Sequence, residues 1–347
     1  MIAAGPPGWP RPVFVAGAGV ACAAGFDWRG LAASPALTAG ARARVPPVPS
    51  ACDPCDPRRL NLMSRAAYLG AVALHAARND AGFGEETGLY MGVGASGGEL
   101  SELQAMLQPS LSPTGQFDPG RFGSRGLAAA NPLFSFQLMN NFTLCHGAIL
   151  ARLSGPSAAL HSRGAGTVTA LREAAFAVAE REVDRAYAGG ADSALHPVTL
   201  AELERDGVLA EHLVPGEGAA LLGLTADGPG LARLVRAEVF PVHRRLDDRA
   251  LETAAVMALA GISKHATLVL APWGRPARAA LESASHHWTG PRLDLASVTG
   301  ETLAAGPALG WALALDRLLG GDRQAVVLSA GLDGDLGLVE LRREDAA

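Results

Sequence analysis

The chain is 347 residues long, 49% hydrophobic and 18% charged, with a formal net charge of −5 and a pI near 6.0. That length suits two domains or one large α/β unit of two similar halves, and the composition excludes extensive disorder. The acidic balance gives no field for phosphate backbones or anionic lipid, and no run of roughly 18 apolar residues occurs, so neither nucleic acid nor a membrane is an expected partner.

Residues 1–12, rich in glycine and proline, predict a loose tail before a first strand at Val13–Val20. Cys22, Cys52, Cys55 and Cys145 make no disulfide framework in a chain of this size, which points to a reducing cytoplasm. Residues 33–60 lack periodicity and predict irregular cover. Ser64 can cap a helix running to Asp80, with Ala66, Leu69, Val72 and Ala73 on its apolar side and Gly82 just past its end. A strand at Leu89–Ala95 follows, then a long mixed stretch, 96–131, of the kind that carries function or an interface. A strand at Ala158–Ser162 leads through Gly164 and Gly166 into a helix at Thr167–Glu182, striped by Val168, Leu171, Ala175 and Val178. Strands are predicted at Arg185–Ala188, Gly218–Leu224, Leu231–Phe240, Thr267–Leu270, Ala325–Ser329 and Leu336–Leu341, with helices at Asp248–Ala260 and Gly310–Leu319. The pattern divides into two α/β halves, 13–228 and 229–347.

Six segments in order carry a resemblance. They are Val15-Ala16-Gly17-Ala18-Gly19-Val20, then Asn131-Pro132-Leu133-Phe134 continuing to Gly155-Pro156-Ser157, then Ala188-Gly189-Gly190-Ala191-Asp192. Pro215-Gly216-Glu217-Gly218-Ala219, Thr299-Gly300-Glu301-Thr302-Leu303 and Ser329-Ala330-Gly331-Leu332-Asp333-Gly334 complete the set. Together they resemble the β-ketoacyl-acyl-carrier-protein synthases, over nearly the whole chain. The resemblance implies a thiolase-like fold, two similar α/β halves forming a layered α-β-α-β-α core, and no cofactor.

A ketosynthase needs a thiolate at a helix N-terminus to take up the acyl chain, and two histidines with a nearby lysine to steady the charge formed on decarboxylation. Aligned on these segments, the cysteine position falls on Gly164. Pro272, or its neighbour Trp273, stands for the first histidine, Ala296 for the lysine, and Glu301, whose charge disfavours an adjacent anion, for the second histidine. The resemblance therefore narrows to the chain-length factor of type II polyketide synthases, the β subunit that keeps the fold, loses the cysteine and pairs with an active ketosynthase α subunit. Those subunits usually hold glutamine where this chain has Gly164, so a reducing, polyene-type system suits it at least as well as an aromatic one. An active ketosynthase and, through the pair, an acyl-carrier protein are the expected partners.

Length control is expected from the interface segment Asn131–Cys145. In the family the residue matching Phe134 reaches across the dimer; Phe136, Met139, Phe142 and Cys145 follow it, and a helix there would set Met139 and Phe142 on one face at i, i+3 as a tunnel wall. Other chemistry has weaker support. His161 and Ser162 are adjacent on a strand and point to opposite faces, which disfavours a serine-centred acyltransferase or hydrolase built on them or on Glu301. Cys52 and Cys55 lack the second ligand pair that a structural zinc needs, His286-His287 reads as a solvated pair, and Gly17-Ala18-Gly19 reads as a strand-to-loop turn, lacking the third glycine of a dinucleotide site.

Overall fold

The computed structural model describes residues 9–38, 41–95, 97–209, 213–242 and 248–344, so most of the predicted tail lies outside the described residues. The strands are β1 Val13–Ala21, β2 Gly88–Val93, β3 Ser157–His161, β4 Arg185–Ser193, β5 Glu217–Thr225, β6 Ala232–Pro241, β7 Thr267–Pro272, β8 Arg292–Asp294, β9 Gln324–Ala330 and β10 Asp335–Arg342. They hydrogen-bond in the order β3-β2-β4-β5-β1-β6-β10-β9-β7-β8. Read outward from the β1–β6 junction, each half has the same order. In each, the second strand runs parallel to the third and fourth, and the fifth runs antiparallel to the fourth and the first. The halves join where Val13, Phe14 and Val15 face Leu234, Arg233 and Ala232.

Six helices cover and fill this sheet: α1 Arg65–Ala81, α2 Phe142–Ala151, α3 Thr167–Ala179, α4 Asp248–Leu259, α5 Gly274–Ala284 and α6 Gly306–Leu319. α1 lies across β1, β4 and β5 with α2 beside it, while α4 and α5 pair over β10 and β7. Between the halves, α3 touches β2 and β4 of one and β6 and β10 of the other; α6 touches β7 and β9 but also β5 and β1. This is the layered α-β-α-β-α arrangement. α6 is buried from Gly306 to Leu315, apolar on nearly all sides as a helix packed between the two halves of the sheet must be, whereas α1 keeps a polar face.

The start and stop of α1 follow from its capping residues. The Ser64 hydroxyl accepts the Ala67 N–H at 3.2 Å, and Gly82 closes the helix at φ 68°, a conformation that costs glycine little. Gly19 is not in a turn. It lies inside β1 where a Cβ would come within 2.2 Å of the backbone of Ala73 and Ala77, so its absent side chain lets α1 rest on the strand. Helix α5 and strand β8 escape the sequence reading: Ala277, Ala280 and Leu281 have helical spacing, but Pro276 masks it. Among the described residues no helix is long and apolar enough to cross a membrane.

Candidate functional site

After β3 the chain turns through Ser162–Gly166 into the N-terminus of α3. Ser162 is buried; its hydroxyl accepts the Gly164 N–H at 3.1 Å and donates to the Gly164 carbonyl at 2.9 Å, which fixes the turn. Thr167 donates to the Ala304 carbonyl at 2.7 Å, tying the start of α3 to the other half. Gly164 has φ 149°, and a Cβ built on it would lie 2.3 Å from Gly331 Cα. The contact is reciprocal, since a Cβ on Gly331 would lie 2.4 Å from Gly164 Cα and 2.5 Å from the Arg163 carbonyl oxygen. Two backbones meet there with no room for a side chain on either.

Gly164, Pro272, Ala296 and Glu301, spread over 138 residues of sequence, line one cavity of about 10 Å³. That holds roughly one water and no acyl chain. Pro272 ends β7 opposite Ala330, and Trp273, 2% exposed, fills the adjoining space among Ala194, Leu203, Leu213 and Leu303. Glu301 is 3% exposed and fully engaged: one carboxylate oxygen accepts the Gly274 N–H at 2.6 Å, and the other pairs with Arg278 at 3.0 Å. Arg278 also holds Asp294 at 2.5 Å. Burial pushes the Glu301 carboxyl above its ordinary range, against the pull of the Gly274 N–H and Arg278. Its carboxylate thus staples the end of β7 to the segment after Ala296–Thr299. Nearby, Asp192 is 1% exposed and accepts the N–H groups of Ser193 at 2.8 Å and Ala304 at 3.2 Å; desolvation raises it to about 7.

The model of the β-ketoacyl synthase N-terminal domain matches residues 25–224, more than half of the sequence. The chain belongs to the β-ketoacyl synthase family. No curated protein matches the sequence. Solved structures similar to it include a type II polyketide synthase acyl-carrier protein in complex with its ketosynthase bound to a hexaketide (TM-score 0.74, 14% identity, 96% of this chain and 99% of that one). They also include the ishigamide ketosynthase/chain length factor (TM-score 0.72, 19% identity, covering 96% and 100%) and a β-ketoacyl synthase from Burkholderia phymatum STM815 (TM-score 0.75, 18% identity, covering 96% and 100%). At these identities the likeness is one of fold.

The turn into α3 holds neither a thiol nor space for one at Gly164. The other chemically interesting residues do not come together as a substitute. His161 is exposed and bonds Asn140 at 3.1 Å, while Ser162 faces inward, so the two point apart as strand geometry requires. Cys145 lies half-buried on α2 against the outer core of the first half. Cys52 and Cys55 are half-buried, burial raising the Cys55 thiol to about 12, and no metal-holding cluster of His, Cys, Asp and Glu occurs among the described residues. The His286 and His287 rings lie with centroids 3.5 Å apart, tilted by 43°, on an exposed turn.

The segment Asn131–Cys145 does not form the single helix that a Met139–Phe142 face requires. Phe134 is 3% exposed and turned into its own chain, against Gly98, where a Cβ would lie 2.2 Å from the ring. The i, i+3 face also fails, because a four-residue helix ends at Leu138, Met139 is extended at φ −84° and ψ 120°, and Phe142 begins α2. Met139 is 49% exposed, whereas Phe136 and Phe142 pack edge to face at 4.8 Å, half-buried. Arg278 escaped the sequence reading, and Gly331 and Asp333 entered it only as members of the sixth segment, with no role given to either.

Proposed function

We propose that this chain is a non-catalytic subunit of the chain-length-factor kind, pairing with an active ketosynthase and shaping the acyl tunnel of a type II polyketide synthase. The observation that carries this reading is the backbone contact of Gly164 with Gly331, which leaves the nucleophile position without space for any side chain. The other three positions add no replacement, since Pro272 and Ala296 cannot carry charge and Glu301 is committed to Arg278 and Gly274. Support for a partner comes from β3, a sheet edge paired on one side only and exposed at Ser157, Ala159 and His161. Leu127, Leu133, Leu138, Met139 and Ile149 are exposed in the segments leading to it. The acyl-carrier protein is met through the pair, in the manner of the ketosynthase and carrier-protein complex that shares the fold.

Co-expression with a cysteine-bearing type II ketosynthase tests this. A one-to-one complex is expected, with the acyl group found on the partner by intact mass. A stable monomer with no affinity for that ketosynthase, or a stoichiometric acyl adduct on this chain, would overturn it.

A further inference from the structure

Three consecutive residues of the loop between β9 and β10 are anchored, one after another, around the turn that begins α3. Gly331 lies against Gly164, as described. Leu332 donates its N–H to the Arg163 carbonyl at 3.1 Å and packs its side chain on the cluster around Trp273. Asp333 is exposed to solvent, and its carboxylate accepts the N–H groups of Arg163 and Gly166, each at 3.2 Å, 3.4 Å from the Ser162 hydroxyl. The free N–H groups at the start of a helix attract negative charge. Here a side chain from the other half of the molecule supplies it.

We infer that the Gly331–Asp333 loop is a latch that holds the degenerate site shut, with the Asp333 carboxylate seated on the Arg163 and Gly166 amide groups of the turn that leads into α3. The closure is steric and electrostatic, so the missing sulfur is only part of what disables the site. A thiol restored at position 164 meets the Gly331 backbone and a conformation that L side chains rarely adopt; it becomes reachable only when the loop is released. The cavity behind the latch, about 10 Å³, offers no second route for an acyl group. This inference concerns the isolated chain and stands or falls whether or not a ketosynthase pairs with it.

The test uses the full chain alone. Asp333→Ala is expected to speed hydrogen exchange at least tenfold in the peptides covering 162–167 and 330–334, with distant peptides unchanged. Sodium formate, compared with sodium chloride at equal ionic strength, should slow that exchange again by filling the vacated seat. In a second arm, Gly164→Cys is treated with iodoacetamide under native conditions and alkylation at position 164 is read by peptide mapping, which separates it from the natural cysteines. Labelling at least tenfold slower than for a free thiol, and accelerated by adding Asp333→Ala, is the expected result. Unchanged exchange in Asp333→Ala overturns the latch, and so does a Gly164→Cys protein that melts like the parent and labels like a free thiol. The exchange arm decides even where Gly164→Cys does not fold.

Discussion

β3 and β8 are corresponding edge strands of the two halves, and they end their sheet in different ways. β3 has five residues, with Ala158 and Leu160 turned to the central core and Ser157, Ala159 and His161 left open. β8 has three, and its flanking charges are engaged by its own half: Arg292 donates to the Ser285 carbonyl at 3.1 Å, and Asp294 pairs with Arg278. The connections differ in the same sense. Between β7 and β8 runs one packed helix, α5, whereas residues 94–156 between β2 and β3 carry Leu100, Phe117, Leu127 and Ile149 at 50–59% exposure. One strand order, used twice, gives one half a blunted edge and the other an open edge beside exposed apolar side chains. What lies between the second and third strands makes the difference, because short charged edges resist strand addition and long open ones invite it.

The largest effect expected within this contrast separates inward from outward residues of the connection before β3. Phe134→Ala should cost about 3–5 kcal/mol of the isolated chain's stability, the usual penalty for emptying a buried phenylalanine site. Met139→Ala should cost under about 0.5 kcal/mol. Urea unfolding of both would decide it, and equal losses would mean that Met139 is also packed within the chain.

Next is the seam between the halves at Gly331, where an added methyl meets the backbone of Arg163 and Gly164. Gly331→Ala should lower stability by about 2–3 kcal/mol, as overpacking against rigid backbone does. A melting temperature equal to the parent's would show that the halves are free to separate there.

The edges themselves can be compared by charge. Ala159→Lys on β3 should weaken pairing with a ketosynthase about thirtyfold, ~2 kcal/mol, while Arg292→Ala on β8 leaves the affinity unchanged, both read by titration calorimetry. Equal effects at the two edges would remove the functional distinction between the halves.

The last change is one of slope. Asp192, on β4, holds the Ala304 N–H of the second half, and burial raises its carboxyl to about 7 from an unfolded value near 3.8. A raised folded value means that the native state binds the proton more tightly, so this contribution is whole below about pH 4 and is lost as pH rises through about 7. Thermal melts from pH 4 to 8 should decline across that window, and Asp192→Asn should flatten the decline; a parallel decline in the variant would assign it elsewhere.

Sequence alone determined what is written locally. The periods of α1 and α3, the Ser64 cap, the Gly82 stop and most strands are readable because backbone geometry repeats every 3.6 or 2 residues. That Gly164, Pro272, Ala296 and Glu301 carry no thiol, imidazole or amine is plain from the sequence, and the fold brings these four residues to one cavity. Packing between distant segments decided the rest. Nothing near Gly164 in sequence reveals that Gly331 lies against it, and nothing near Glu301 announces Arg278 as its partner. Phe134 looked outward by analogy and turned inward because Gly98, across a loop, leaves space for its ring; the break at Met139 undid a face that helical spacing had promised. Side-chain type and local period are properties of a few neighbouring residues, whereas closure of the site is a property of two halves brought together by a shared core, and only the folded chain specifies that distance.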